Sequence, residues 1–268
     1  MSYRLPSLGT CTLVAAMWCA LPAHALINGT NTSSFSAVGA LGGATGVLVA
    51  NNWVLTAAHV ATSLAVGSSG FESLVGNSLV DAVYTFSSTE FPSNDVALLH
   101  LSTALNAALP ILNDADIRAN QVATLGTLTI ATAQNEVPNG VGTTTASSVQ
   151  PTYTKQDTGT TYTVNWLVTQ GGSTVESGDS GGALFKGAVS NSGGALLLGI
   201  ASSQLTYSDG SKGSAFVQVA SYKSWINSVM APSGQSVVWA SSVPEPSTFM
   251  LFALSGFAFC FARTRHFG

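Results

Sequence analysis

Residues 26–230 are expected to form an all-β barrel or sandwich that closes on one C-terminal helix. Three observations predict it. Apolar, β-branched segments of five to ten residues recur along the chain, separated by Gly, Asn and Ser. Helical periodicity is weak before residue 220. No fixed-period repeat is present, which argues against a solenoid or propeller.

The first elements are a hairpin, "GVLVA" (46–50) and "WVLTAA" (53–58), joined by Asn51 and Asn52. Further strands are expected at 79–86, 95–101, 121–130, 161–169, 195–203 and 214–220. Residues 138–161, rich in Thr, Gly and Ser, read as a long loop or a loose hairpin. In 220–230, Tyr222, Trp225, Ile226 and Val229 fall on one helical face. Residues 231–243 read as a Pro-, Ser- and Gly-rich linker.

Both ends read as export machinery. Arg4, an apolar run and Ala23-His24-Ala25 make a signal peptide over residues 1–25, so the mature chain is expected to begin at Leu26. The alternative, a membrane span, is disfavoured by the short run and Pro22. The far end carries "VPEPST" (243–248), an apolar run from Phe249 to Ala262, and Arg263 and Arg265. That run, as helix at about 1.5 Å per residue, covers roughly 21 Å, short of a ~30 Å hydrocarbon core. The basic end would stay on the cytoplasmic side.

Composition narrows the classes. The chain of 268 residues is 7% charged with a net charge of -4. No basic stripe exists for nucleic acid. Cys11, Cys19 and Cys260 all lie in the end segments, so residues 26–230 hold no disulfide. With His59 and His100 as the central histidines, no metal site or other cofactor is expected.

"VESGDSGGALF" (175–185) surrounds Ser180 with Gly178, Gly181 and Gly182. A serine hydroxyl becomes a nucleophile only beside a base that a third group orients, with donors aimed at the developing oxyanion. Taken singly, His59 is a half-buried structural histidine and Asp95 a turn residue. Taken together, "LTAAH", "NDVALLHL" and "GDSGG" occur in an order and form that closely resemble the chymotrypsin-like (trypsin-fold) serine proteases. "INGT" (27–30) resembles that family's mature N-terminus, and "YKSWINSVM" (222–230) its closing helix.

The resemblance implies two six-stranded antiparallel β-barrels with the site between them, over a protease domain of residues 26–230. It implies Ser180 as nucleophile, His59 as general base and Asp95 as its orienting acid, with the amides of Gly178 and Ser180 as oxyanion hole. Asp179 would pair with a freed N-terminal ammonium; "INGT" points to Ile27, one residue past the expected cut. Thr174 stands at the specificity-pocket floor, where trypsins carry an aspartate. Ser202, Ser203 and Gln204 replace the usual Ser-Trp-Gly of the pocket wall, and Ser214 a pocket glycine. The uncharged floor implies no Arg or Lys preference, and Ser214, by narrowing the pocket, favours small or medium uncharged residues. Val60 stands where animal members carry a disulfide cysteine. His100, between Leu99 and Leu101, points to solvent or a neighbouring strand, and Glu176 and Asp157 are loop carboxylates.

The tail (244–268) resembles the PEP-CTERM sorting signal, read by a membrane peptidase called exosortase. Expected partners are therefore a peptide or protein substrate and an exosortase-type peptidase, with the protein otherwise a monomer. The expected location is transiently the inner membrane, then the cell surface or exterior. A permanent single-span anchor is the alternative for the tail. A catalytically silent surface or binding protein on the same fold is the alternative for the domain. Silent members usually lose a triad residue or distort "GDSGG", and neither loss occurs here.

Overall fold

A computed structural model describes residues 26–33, 35–86, 90–133, 139–155 and 157–242. A short strand β1 (Thr30–Thr32) precedes a closed antiparallel barrel. The barrel consists of β2 (Val38–Leu41), β3 (Ala44–Ala50), β4 (Trp53–Thr56), β5 (Gly70–Ser73), β6 (Gly76–Thr85) and β7 (Ala97–Leu101). Its order is β2-β3-β4-β7-β6-β5.

The second half holds β8 (Ile111–Leu112), β9 (Thr127–Thr132), β10 (Asn139–Thr154), β11 (Thr161–Gly172), β12 (Ala183–Lys186), β13 (Leu196–Thr206) and β14 (Lys212–Gln218). Strands β10-β11-β14-β13-β12-β9 run in that order, and β9 pairs back onto β10 to complete a second ring. β1 adds to the edge of β10, and β8 runs parallel beside β13.

Period-two alternation explains how the barrels fill and how they join. In β3, Leu48 packs inside the first barrel, while Val47 and Val49 turn to a core shared with the second. In β4, Val54 faces inward, and Trp53 and Leu55 face the shared core. In β14, Phe216 fills the second barrel, and Ala215 and Val217 meet the first. The near-continuous apolar runs of the sequence follow from this, because strands at the junction are buried on both faces. Close packing also fixes Gly46, where a Cβ would stand 2.6 Å from Val54 Cγ1.

Two expectations about the second half need correction. Residues 138–161 are mostly one 16-residue strand, β10, joined by a short turn to β11. Its Thr, Ser and Val residues suit a half-solvated sheet that pairs in turn with β1, β9 and β11. The expected strand 121–130 begins as a 3-10 turn (Ala119–Thr124) and turns through Gly126, at φ 70°, into β9.

Of the expected helical face, Tyr222 and Ile226 are buried and Trp225 and Val229 are half-buried against the same core; Met230 is buried with them, on a 3-10 turn followed by α-helix Lys223–Met230. The stretch beyond it is not a free linker in its described part. Val237 and Trp239 are buried, Leu112 donates its N–H to Val238 O at 2.8 Å, and Trp239 Nε1 donates to Asn227 Oδ1 at 2.9 Å. Two apolar residues among the Pro, Ser and Gly dock this segment against β8 and the helix.

Candidate active site

The site lies where the ends of β4, β7 and β12 meet between the barrels. β4 ends at Thr56, buried Ala57 follows, and the single turn Ala58–Ala61 carries His59 outward. Asp95 precedes β7 and is 1% exposed. Asn94 before it has φ 46°, a left-handed position that Asn tolerates. Ser180 sits in the turn leading into β12.

That turn needs its glycines. Gly178 has φ 97° and Gly181 φ 83°. A Cβ on Gly181 would run into the Thr45 carbonyl and the Thr56 hydroxyl. The Thr45 amide donates to Ser180 O at 2.9 Å, and the Gly181 amide donates to Ala201 O at 2.8 Å. The turn is thus held by backbone from both barrels. The amides of Gly178 and Ser180 have no partner among the described residues.

Three side chains form one line. His59 Nε2 is 2.8 Å from Ser180 Oγ, and His59 Nδ1 is 2.8 Å from Asp95 Oδ2. The His59 backbone N–H donates to Asp95 Oδ1 at 2.9 Å, and Ser202 Oγ donates to Asp95 Oδ2 at 2.6 Å. A buried carboxylate is tolerable because three donors meet it. An ionised carboxylate only accepts, so Nδ1 carries the imidazole proton and Nε2 turns its lone pair to the serine hydroxyl. This arrangement can take the proton from Oγ as the serine attacks.

The other expected residues fall into three groups. Thr174 is buried, and its backbone bridges Ile27: Ile27 N–H to Thr174 O at 3.0 Å, and Thr174 N–H to Ile27 O at 3.1 Å. The Val175 amide donates to Ser214 Oγ at 3.0 Å, and Gln204 Nε2 donates to Val175 O at 2.7 Å. Thr174, Gln204 and Ser214 are therefore brought together, with the Gln204 amide tying β13 to the segment behind Ser180, while Ser203 pairs with Ala215 beside them. Ser202, expected in the pocket wall, turns its hydroxyl to Asp95 instead.

Asp179 is fully buried and accepts from the Glu176 amide at 2.7 Å. Leu26, rather than Ile27, enters the second barrel's core, at 1% exposure. His100 lies away from the line, bonded to Asp81 at 2.6 Å and edge-on to Trp53. Asp157 pairs with Lys155 at the β10–β11 turn, and that partner holds its carboxyl below the usual range.

Sequence reasoning missed Phe91. Its ring stands edge-on to His59, centroids 5.0 Å apart, and is 48% exposed. Its position before Pro92 in a loop carries no periodic signal.

The apolar run Phe249–Ala262 lies outside the described residues, among which no helix is long and apolar enough to cross a membrane. A family profile described as the PEP-CTERM protein-sorting motif matches residues 242–265, which supports export and sorting to the cell surface or membrane. No curated protein sequence matches the chain.

Among solved structures, the scabies mite inactivated protease paralogue S-I1 superposes with TM-score 0.54 at 20% identity, covering 74% of this chain and 95% of that one. The secreted serine protease VesC from Vibrio cholerae gives TM-score 0.55 at 15% identity, covering 74% of this chain and 47% of that one. Kallikrein-related peptidase 10, in complex with zinc, gives 0.52 at 19% identity, covering 75% and 98%. At these identities the likeness shows the fold. The trypsin family profile matches residues 28–226, most of the described chain. With the two rings and closing helix, that match identifies the chain as a member of the trypsin family of chymotrypsin-like serine proteases.

Proposed function

We propose that the chain is an exported serine endopeptidase in which Ser180, His59 and Asp95 carry the chemistry. The observation that supports this best is the 2.8 Å contact of His59 Nε2 with Ser180 Oγ, on a ring whose Nδ1 is held by Asp95. Ser180 Oγ attacks the scissile carbonyl while its proton passes to Nε2. The oxyanion settles on the Gly178 and Ser180 amides, where one such donor contributes about 3–4 kcal/mol to the transition state. His59 then protonates the leaving amine, and water hydrolyses the acyl-enzyme by the same route reversed. Asp95 stays ionised throughout and stabilises the imidazolium. No cofactor enters these steps.

The residue before the cut is small or medium and uncharged. Thr174 and Ser214 offer no anion to a cationic side chain, and the Gln204 amide reaches across to Val175. Export is through removal of residues 1–25. The C-terminal motif is then cut by an exosortase-type peptidase, releasing the domain to the cell surface or exterior.

The fold alone does not carry activity, since one similar structure is named an inactivated protease paralogue. Labelling with a fluorophosphonate probe tests the reading. Ser180 is expected to be modified in the native chain, with no labelling in Ser180→Ala. An unlabelled native chain would favour the silent surface protein.

A further inference from the structure

Strand β3 carries one buried polar side chain among apolar ones. Thr45 is fully buried and, by the period-two alternation, lies on the same side of β3 as Val47 and Val49, towards the shared core. A hydroxyl taken out of water is costly unless it is hydrogen-bonded. Here it spans the two barrels. Its oxygen accepts from the Ala133 amide at 3.0 Å, and its single proton faces Ala133 O at 3.1 Å and Gly178 O at 3.5 Å. The backbone of Thr45 meets the same turn. Its amide donates to Ser180 O, and its carbonyl accepts from Thr56 Oγ1 at 2.8 Å and fills the space beside Gly181. Gly178, Ser180 and Gly181 therefore all rest on this one residue.

We infer that the Thr45 hydroxyl is a positioning group for the oxyanion site. The inference rests on the protease reading above and adds a residue to it. Gly178, at φ 97°, has no side chain to fix its rotation, and glycine takes up either sign of φ freely. The peptide that follows it is held at both ends. The Asp179 N–H donates to Glu176 O at 3.1 Å, and the Gly178 carbonyl faces the Thr45 hydroxyl. With that plane fixed, the Gly178 N–H keeps its direction towards the developing oxyanion. Such a site works because its donors are aligned before the charge appears, so a donor free to swing loses much of its effect. The two bonds to Ala133, just past the end of β9, anchor the hydroxyl from the second ring and leave it little freedom to turn away.

The test compares Thr45→Val, which keeps the shape and loses the hydroxyl, with Thr45→Ala and Thr45→Ser in the full chain. Rates on a peptidyl p-nitroanilide are counted per site titrated to completion by a fluorophosphonate, so unfolded protein does not enter them. Thr45→Val and Thr45→Ala are expected to lower kcat per site about tenfold or more with KM within about twofold, and Thr45→Ser to stay within about threefold of native. A peptide aldehyde is the second readout. Its carbonyl carbon takes up Ser180 Oγ, the proton passes to His59, and the oxygen anion lies in the same site. Its affinity is expected to fall by the same factor as kcat/KM, while the acid limb of the pH–rate profile, set by His59, stays in place. Native kcat per site in Thr45→Val or Thr45→Ala overturns the inference and leaves the protease reading standing. Failure of both to fold makes the hydroxyl a stability element alone and overturns it equally, as does an equal loss in Thr45→Ser. A native chain that neither titrates nor hydrolyses overturns the protease reading, and the inference with it.

Discussion

Ser202 of the second ring donates a 2.6 Å hydrogen bond to Asp95, which the first barrel carries ahead of β7. Asp95 holds His59 through two further bonds. The orientation of the His59 ring therefore depends on how the two barrels dock, and Asp95 is the point where they are tied.

Ser202→Ala removes that tie without touching substrate. Hydrogen bonds to charged groups contribute about 1.5–3 kcal/mol, so kcat/KM is expected to fall roughly 10- to 100-fold. Steady-state kinetics beside a thermal melt checks this. A loss matched by unfolding, or no loss at all, removes the positioning role.

Ser180→Ala and His59→Ala are expected to lower kcat on the order of 10⁶-fold each, and the double variant hardly more, because the residues act as a unit. Circular dichroism should stay native. Activity with a reactive ester that survives in Ser180→Ala would overturn the assignment.

Gly181→Ala strains the nucleophile turn twice over, by its φ of 83° and by collision with the Thr45 carbonyl. The backbone term alone is of the order of 1–3 kcal/mol, so destabilisation by more than about 3 kcal/mol is expected, read from denaturant midpoints. Gly187, also at positive φ but with open space around it, is the control: Gly187→Ala should cost only the backbone term.

Tyr222 links the closing helix to the acid's turn, its hydroxyl donating to Asn94 Oδ1 at 3.0 Å. Burial pushes its phenol up to about 12. The unfolded phenol ionises near 10, so stability present below that pH is lost as pH rises towards 12. The loss is roughly 2–3 kcal/mol. Tyr222→Phe should cost about 1 kcal/mol at neutral pH and abolish this part of the alkaline loss. Equal alkaline slopes in both proteins would contradict the argument.

Active protein from its host is expected to begin at Leu26 and to lack Phe249–Gly268. Leu26 is buried in the second barrel, while the Ile27 N–H is already engaged by Thr174. The buried Asp179 carboxylate, which also accepts from the Glu176 amide, is the partner proposed for the freed amine. Intact-mass analysis with N-terminal sequencing decides both ends. A start at Ile27 with full activity would sink the first expectation, and a retained tail would favour the permanent anchor.

The chain's own residues were enough for the fold class and for the three side chains that the structure brings into one line. Apolar runs bounded by Gly and Asn marked β3, β4, β7, β11, β13 and β14, since strands buried on both faces carry a strong local signal. His59, Asp95 and Ser180 were legible because each sits in a stretch whose neighbours are also constrained: small residues before the histidine, an apolar strand after the aspartate, glycines around the serine. Elements that bury little were illegible. β10 is Thr- and Ser-rich because much of it is solvated, so its pattern matches a loop, and Val237 and Trp239 were masked by the Pro, Ser and Gly around them.

Only the tertiary structure decided who partners whom. Ser202 and Phe91 meet Asp95 and His59 across sequence separations of 107 and 32 residues. Gln204 reaches Val175 between two segments with no local relation. Phe91, Tyr153, Tyr162 and Tyr207 line one cleft although they come from the loop before Asp95, the β10–β11 hairpin and the turn after β13. Periodicity reports which face of an element is buried. It says nothing about which other element covers that face, because that depends on how two closed barrels dock, and docking is set by the whole shared core at once.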